Sequence, residues 1–343
     1  MVVRTQIADV LKGIAVFFMI QVHIVELFAD NLFYTSYLGK ILLFMGGPTV
    51  APVFVLLFGY FIAKSQKTTK QLVIRGLKII GLGIFLNIAL NLNLILSVYN
   101  GLFEIDLWPY IFGIDILQFA GFSIIVIAMF KKVLQKNLVF TILCIFIVAF
   151  LGQFLLNFIP KNIILKYISA LFYGSTHWSY FPLFPWLGYP LAGIAFYKIQ
   201  KKYDLSILIK PKFLISITLL FLVFTALTIN YAISISSNLA LYYHHSILFM
   251  CWVFLFLAFY SLFINEINKL IGDTMLFKYL KWLGKNVTLI YVIQWIIIGN
   301  LATTIYKTIS NPLNLLFYFI GILILSSGVG YLLLKIKGRF SKK

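Results

Sequence analysis

Ten long apolar runs follow one another along this chain, at about 8–28, 41–63, 73–92, 112–130, 138–158, 181–198, 212–233, 246–265, 284–303 and 312–334. About 20 apolar residues wound as a helix cross a bilayer's hydrocarbon core, and a helix satisfies its own backbone hydrogen bonds there. Composition agrees: 62% of the 343 residues are hydrophobic and 11% charged, whereas a soluble domain is about a quarter charged. A soluble globular enzyme is excluded. The chain is predicted to be an all-α integral membrane protein of ten transmembrane helices, forming one polytopic domain over 1–343. No connection is long enough for a separate soluble domain. The largest, 93–111 and 159–180, are rich in aromatics (Trp108, Tyr110, Phe172, Tyr173, Trp178, Tyr180) and are expected to lie on the membrane. The first run holds Asp9 and Lys12 and no small-x-small cleavage site, so it is read as a span and not as a signal peptide.

The net charge of +19, from 28 Lys and Arg against 9 Asp and Glu, has the magnitude of a nucleic-acid-binding surface. Its distribution does not, because the basic residues fall in small clusters between apolar runs and not on one face or arm. With the N-terminus inside, 24 of the 28 fall on the cytoplasmic side, and only Lys40, Lys161, Lys166 and Lys307 lie outside. Both termini are therefore expected to be cytoplasmic. Cys144 and Cys251 sit within apolar runs and read as small hydrophobes. No His or Cys pair stands at ligand spacing, so no metal is expected.

Ionisable residues within hydrocarbon are costly and mark functional sites. In the first run Asp9, Lys12, Val16, Met19, His23, Glu26 and Asp30 recur every three or four residues, which holds all seven on one stripe of a helix. Ile14, Phe17 and Val25, off the stripe, are apolar. Lys12 and His23 share an azimuth about 16 Å apart along the axis. One reading has Lys12 snorkelling to headgroups and His23 bonding a neighbouring helix. That reading gives Asp9, His23 and Glu26 no reason to share the stripe. The other is a site with a cation at its inner mouth and an imidazole deeper in, suited to take a proton from a sugar hydroxyl or amine near neutral pH. Glu26, one turn on, would orient that ring.

Weaker signals lie elsewhere. Asp115 and Gln118 are one helical turn apart, serving either helix–helix hydrogen bonding or an acceptor. His177-Trp178 serves either packing or stacking on a sugar ring. Phe181 to Tyr189, including Trp186, reads either as an interfacial aromatic belt with prolines in a first turn or as a substrate-facing wall. His244 and His245 are adjacent, point about 100° apart in a helix, and read as interfacial.

Arg4-x4-Asp9-x2-Lys12-Gly13-Ile14-Ala15, followed by Met19 and His23, resembles the first-helix signature of the transmembrane acyltransferases. These include bacterial relatives of heparan-α-glucosaminide N-acetyltransferase and the acyltransferase-3 proteins. The latter carry Arg-x10-His where this chain has Lys12-x10-His23. Ala51-Pro52-Val53-Phe54 through Gly59-Tyr60, Gly113 to Gln118, Phe181-Pro182-Leu183-Phe184-Pro185-Trp186-Leu187-Gly188-Tyr189 with Gly193, and Leu283-Gly284-Lys285-Asn286 leading to Tyr291 are similar to further segments of the superfamily, in order. The resemblance implies transfer of an acyl group, commonly acetyl, from cytoplasmic acetyl-CoA or another acyl-CoA to an acceptor on the far side. It implies His23 as catalytic base with Glu26 behind it, and contacts from Lys12, Arg75 and Lys78 to the CoA phosphates. Lys in place of Arg at 12 offers a point charge where Arg offers a bidentate fork. Asp115, Gln118, His177, Trp178 and Trp186 are the candidate acceptor contacts. The implied partners are membrane lipid, acyl-CoA and a glycan or lipid-linked acceptor, with a homo-oligomer admissible and nucleic acid excluded. The implied location is a prokaryotic cell membrane.

The competing class is a transporter or flippase, in which Asp9, Lys12, His23 and Glu26 form a buried relay. That architecture calls for paired helix interruptions in two related halves, and no internal repeat is visible in the sequence.

Overall fold

The computed structural model describes residues 6–174, 176–205 and 210–340; Arg4 of the first-helix signature lies outside them. The principal helices are α1 (Gln6–Phe28), α2 (Tyr37–Gly46), α3 (Ala51–Lys64), α4 (Thr69–Leu90), α5 (Ile116–Lys136), α6 (Leu138–Leu155), α7 (Gly188–Lys202), α8 (Pro211–Ser236), α9 (Ile247–Ile271), α10 (Met275–Lys285), α11 (Val287–Ile305) and α12 (Pro312–Phe340). Counting α2 and α3 as one span over Tyr37–Lys64, nine helices among the described residues are long and apolar enough to cross a membrane. The chain is an all-α, multi-pass integral membrane protein.

The run at 181–198 differs from expectation. It forms a short helix, Leu183–Trp186, and then α7, and inside the first piece Phe184 has extended backbone angles of φ −106° and ψ 120°. Pro182, Pro185 and Pro190 each remove a donor and restrict the preceding residue, so one unbroken helix cannot form there. The 15 residues of α7 extend about 22 Å, and Leu183–Trp186 continues the same apolar run at its N-terminal end. The aromatic connections fold as well, giving Leu92–Tyr99 and Trp108–Phe112 in one and Ile163–Phe172 in the other.

The described residues group into two compact bundles. Bundle one comprises 51–87 and 108–263, and bundle two comprises 6–50, 88–107 and 264–340. Both use small residues where helix backbones meet. In bundle one, a Cβ on Gly193 of α7 would lie 2.0 Å from the Leu56 carbonyl oxygen of α3. In bundle two, a Cβ on Gly13 of α1 would lie 1.9 Å from the Leu280 carbonyl oxygen, and one on Gly284 of α10 would lie 1.8 Å from that of Asp9. Transmembrane helices, surrounded by lipid as apolar as they are, associate by such close approach. In bundle two it fixes the register of α10 along the first three turns of α1.

Candidate active site

His23 lies in the last turns of α1, half-buried. Its Nδ1 is 3.3 Å from the Oε1 of Gln294 on α11, and its ring lies 4.0 Å from that of Trp295, tilted by 33°. Successive helical residues point about 100° apart, so one α11 turn holds the imidazole from two sides, by a polar contact and by a ring face. An amide oxygen can only accept. Nδ1 therefore carries the hydrogen and donates it to Gln294, which leaves Nε2 with its lone pair as the basic nitrogen. Glu26 is the orienting residue expected from the stripe; the contact seen on the ring is with Gln294, which the sequence does not single out. A fully buried amide within an apolar span was the available signal, since such a group needs a reason to be there.

At the N-terminal end of the stripe, Lys12 Nζ pairs with Asp9 Oδ1 at 2.9 Å, the side chains being 19% and 3% exposed. At its other end the stripe is shorter than expected. Helix α1 stops at Phe28, and Asp30 leaves the stripe to cap the next helix, Asn31–Thr35, its Oδ1 accepting from Phe33 N at 2.8 Å. Asp and Asn are favoured caps because a short acceptor satisfies an orphan amide. The end of α1 is tied down by extended backbone, with Lys307 N donating to Leu27 O at 2.9 Å, Ile309 N to Phe28 O at 2.9 Å and Asp30 N to Ile309 O at 3.0 Å. Lys307 itself has φ 53° and sets its ammonium 5.6 Å from the Tyr34 ring and 5.5 Å from the Tyr306 ring. Burial, and next the Glu26 carboxylate, push the Tyr34 hydroxyl above its ordinary range. That places Glu26 with Tyr34 at the C-terminal end of α1.

The remaining candidates are in bundle one. Arg75 and Lys78 share an exposed face of α4. Asp115 and Gln118 make a capping box at the start of α5: Asp115 Oδ1 accepts from Ile116 N at 2.7 Å, and Gln118 Oε1 accepts from Asp115 N at 3.3 Å. This is helix-end chemistry. Gln118 is buried beside Gly83 of α4. His177 is exposed, while Trp178 stacks on Tyr167 at 5.2 Å and takes the His177 ring edge-on at 4.8 Å. The backbone unites these two stretches, since Ile114 N donates to Trp178 O at 2.8 Å and Tyr180 N to Ile114 O at 3.0 Å. Asn87 braces the same corner by donating to the carbonyls of Ile111 and Gly113, each at 3.0 Å. Trp186, by contrast, is fully enclosed. Its Nε1 donates to Tyr243 O at 2.8 Å, and Phe181, Tyr242 and His245 meet it edge-on. Its contacts are all with protein in this structure.

His245 closes that aromatic cluster. Its Nδ1 donates to Tyr242 O at 2.8 Å, and its Nε2 accepts from the Tyr189 hydroxyl at 3.0 Å. Burial drives the ring's pKa down from 6.5 to about 4, and that of His244 likewise. A depressed histidine pKa means that the unfolded chain binds the extra proton first. Stability is therefore full above pH 6.5 and falls as pH drops toward 4, by roughly 3 kcal/mol for a fully buried ring. The melting temperature of the purified protein is expected to decline across that window, and His245→Gln is expected to flatten the decline. An equally steep slope in the variant would place its origin elsewhere.

Among the described residues, no group of three or more His, Cys, Asp and Glu side chains is placed to hold a metal. The family model described as "Heparan-alpha-glucosaminide N-acetyltransferase, catalytic" matches residues 4–235. No curated protein and no solved structure matches the chain significantly.

Proposed function

Because the chain belongs to the heparan-α-glucosaminide N-acetyltransferase catalytic family, matched over residues 4–235, we propose that it moves an acetyl group from cytoplasmic acetyl-CoA to a sugar or glycoconjugate at the opposite membrane face. The two bundles are read together as one membrane acyltransferase domain with both termini inside, oriented by the 24 of 28 basic residues assigned to that side. The observation that carries the reading is the setting of His23. It is a half-buried imidazole on a membrane helix, its Nδ1 engaged by Gln294 Oε1 at 3.3 Å, which leaves Nε2 as a base.

In this reading the acceptor's hydroxyl or amine gives its proton to Nε2 as it attacks the acetyl carbonyl, and imidazole near neutral pH is suited to that exchange. Membrane-embedded transfer joins a donor and an acceptor that occupy different compartments. Glu26 contributes charge at the C-terminal end of α1. In bundle one the joined stretches of Asp115-Gln118 and His177-Trp178 are assigned to acceptor recognition, with the exposed edge of His177 as their most accessible element.

Sealed vesicles test the proposal. Inside-out vesicles, with the cytoplasmic face outward, are expected to consume added labelled acetyl-CoA, and right-side-out vesicles are not. Consumption from the wrong side, or from neither, would refute it. Arg75 and Lys78 are assigned to the anionic end of CoA. Arg75→Gln and Lys78→Gln should each raise the apparent KM for acetyl-CoA, and the difference should widen at low ionic strength, where screening is weakest. An unchanged KM in both would remove that assignment.

A further inference from the structure

Two donors beside His23 have no hydrogen-bond partner among the described residues, namely the side-chain Nε2 of Gln294 and the indole Nε1 of Trp295, and both atoms are shielded from solvent. Gln294 is fully buried as a residue, and both side chains touch the imidazole, one through Oε1 at 3.3 Å and the other through its ring at 4.0 Å. A buried donor left without an acceptor costs about 1–3 kcal/mol. Two such donors on adjacent residues, flanking the same ring, call for a shared explanation. Packing does not provide one, since a leucine and a phenylalanine would fill the same space without the penalty. Gln21, whose amide is also buried without a partner, is two residues from His23 and so points about 160° away from it on α1. It belongs to a different surface.

We propose that the Gln294 amide N–H and the Trp295 indole N–H form the oxyanion-binding pair of the transfer reaction, holding the thioester carbonyl oxygen of acetyl-CoA as it becomes negatively charged. The assignment rests on the reading of His23 as the base. The acceptor's lone pair forms a bond to the carbonyl carbon, its proton passes to His23 Nε2, and the carbonyl π pair moves onto oxygen, which meets the two N–H groups. When the tetrahedral adduct collapses, the oxygen pair reforms the double bond, the carbon–sulfur bond breaks, and the departing thiolate takes the proton back from the imidazolium. Gln294 then serves twice, its oxygen fixing the His23 tautomer and its nitrogen facing the oxyanion. Preorganised donors in a water-poor site are strongest where charge develops, and losing one lowers kcat by about 10²-fold or more.

Two substitutions separate this role from packing. Trp295→Phe keeps a ring against His23 and removes only the N–H. Gln294→Glu keeps an oxygen for Nδ1–H and replaces the NH₂ donor with a second oxygen. Each is expected to lower kcat by about 10²-fold, with the KM for acetyl-CoA and the affinity for CoA itself, which lacks the acetyl carbonyl, unchanged. Parental kcat in both variants would overturn the proposal, as would a loss that appears equally in CoA affinity. The parent and His23→Ala proteins assayed alongside keep the two failures distinct. An inactive parent, or an active His23→Ala, overturns the reading of His23 and the oxyanion pair with it. An active parent and dead His23→Ala beside fully active Trp295→Phe and Gln294→Glu overturns the oxyanion pair alone.

Discussion

His23→Ala is expected to lower acetyl transfer by about 10²- to 10⁴-fold, the usual worth of a general base, with the protein still folded and still binding CoA. The reasoning starts from the backbone. His23 lies inside α1, five residues before its end, and its contacts on α11 are one hydrogen bond at 3.3 Å and one ring face. Deleting the imidazole removes those and leaves the close α1–α10 approach at Gly13 and Gly284 untouched. The discriminating variant is His23→Gln. Its amide can still reach Gln294 but cannot accept a proton, so it should be nearly as inactive as alanine. Measured initial rates with labelled acetyl-CoA decide it. If glutamine restored most of the rate, His23 would be an orienting residue, and Glu26, one turn further along the same helix, would become the base to test.

What was legible beforehand follows from what a membrane imposes. The length of a spanning helix is set by the bilayer, so nine spans could be read as apolar runs without knowing any contact. The break in the sixth run was not legible because hydropathy does not register backbone geometry. Pro182, Pro185 and Pro190 fit a permissible first turn on paper, but Phe184 is extended and the helix restarts at Gly188. The stripe on α1 was legible as periodicity up to Glu26. Periodicity could not say that Asp30 does better as a cap, although Asp followed by a short helix is a known start signal. Asp115 and Gln118 likewise carry the spacing of a capping box, and the sequence alone supported that as well as any acceptor contact. Gln294 shows the deeper limit. Nothing in the order of residues states that α11 lies beside α1, so His23's actual partner could be found only as an unexplained amide in an apolar run.

Lys12→Met is expected to destabilise the protein by about 3 kcal/mol, the lower end for breaking a buried pair because the lysine keeps some exposure. Asp9 is 2% exposed and its carboxylate lies 2.9 Å from the Lys12 ammonium, at the point where α10 comes within backbone contact of α1. Removing the cation takes the attraction of this ion pair from a carboxylate that is 2% exposed, at a place where the helices cannot part without giving up their contact. The resemblance assigns Lys12 to CoA phosphates, and the ion pair gives it a structural task that a simple activity loss would not distinguish. The double variant Asp9→Asn with Lys12→Met does so, because it removes both charges of the pair and should recover most of the lost thermal stability. If the apparent KM for acetyl-CoA stays high in that stable double variant, Lys12 contacts the donor. If KM returns to the parental value, its work is confined to holding α1 against α10. A Lys12→Met protein that melts with the parent would show that the pair contributes nothing to the fold.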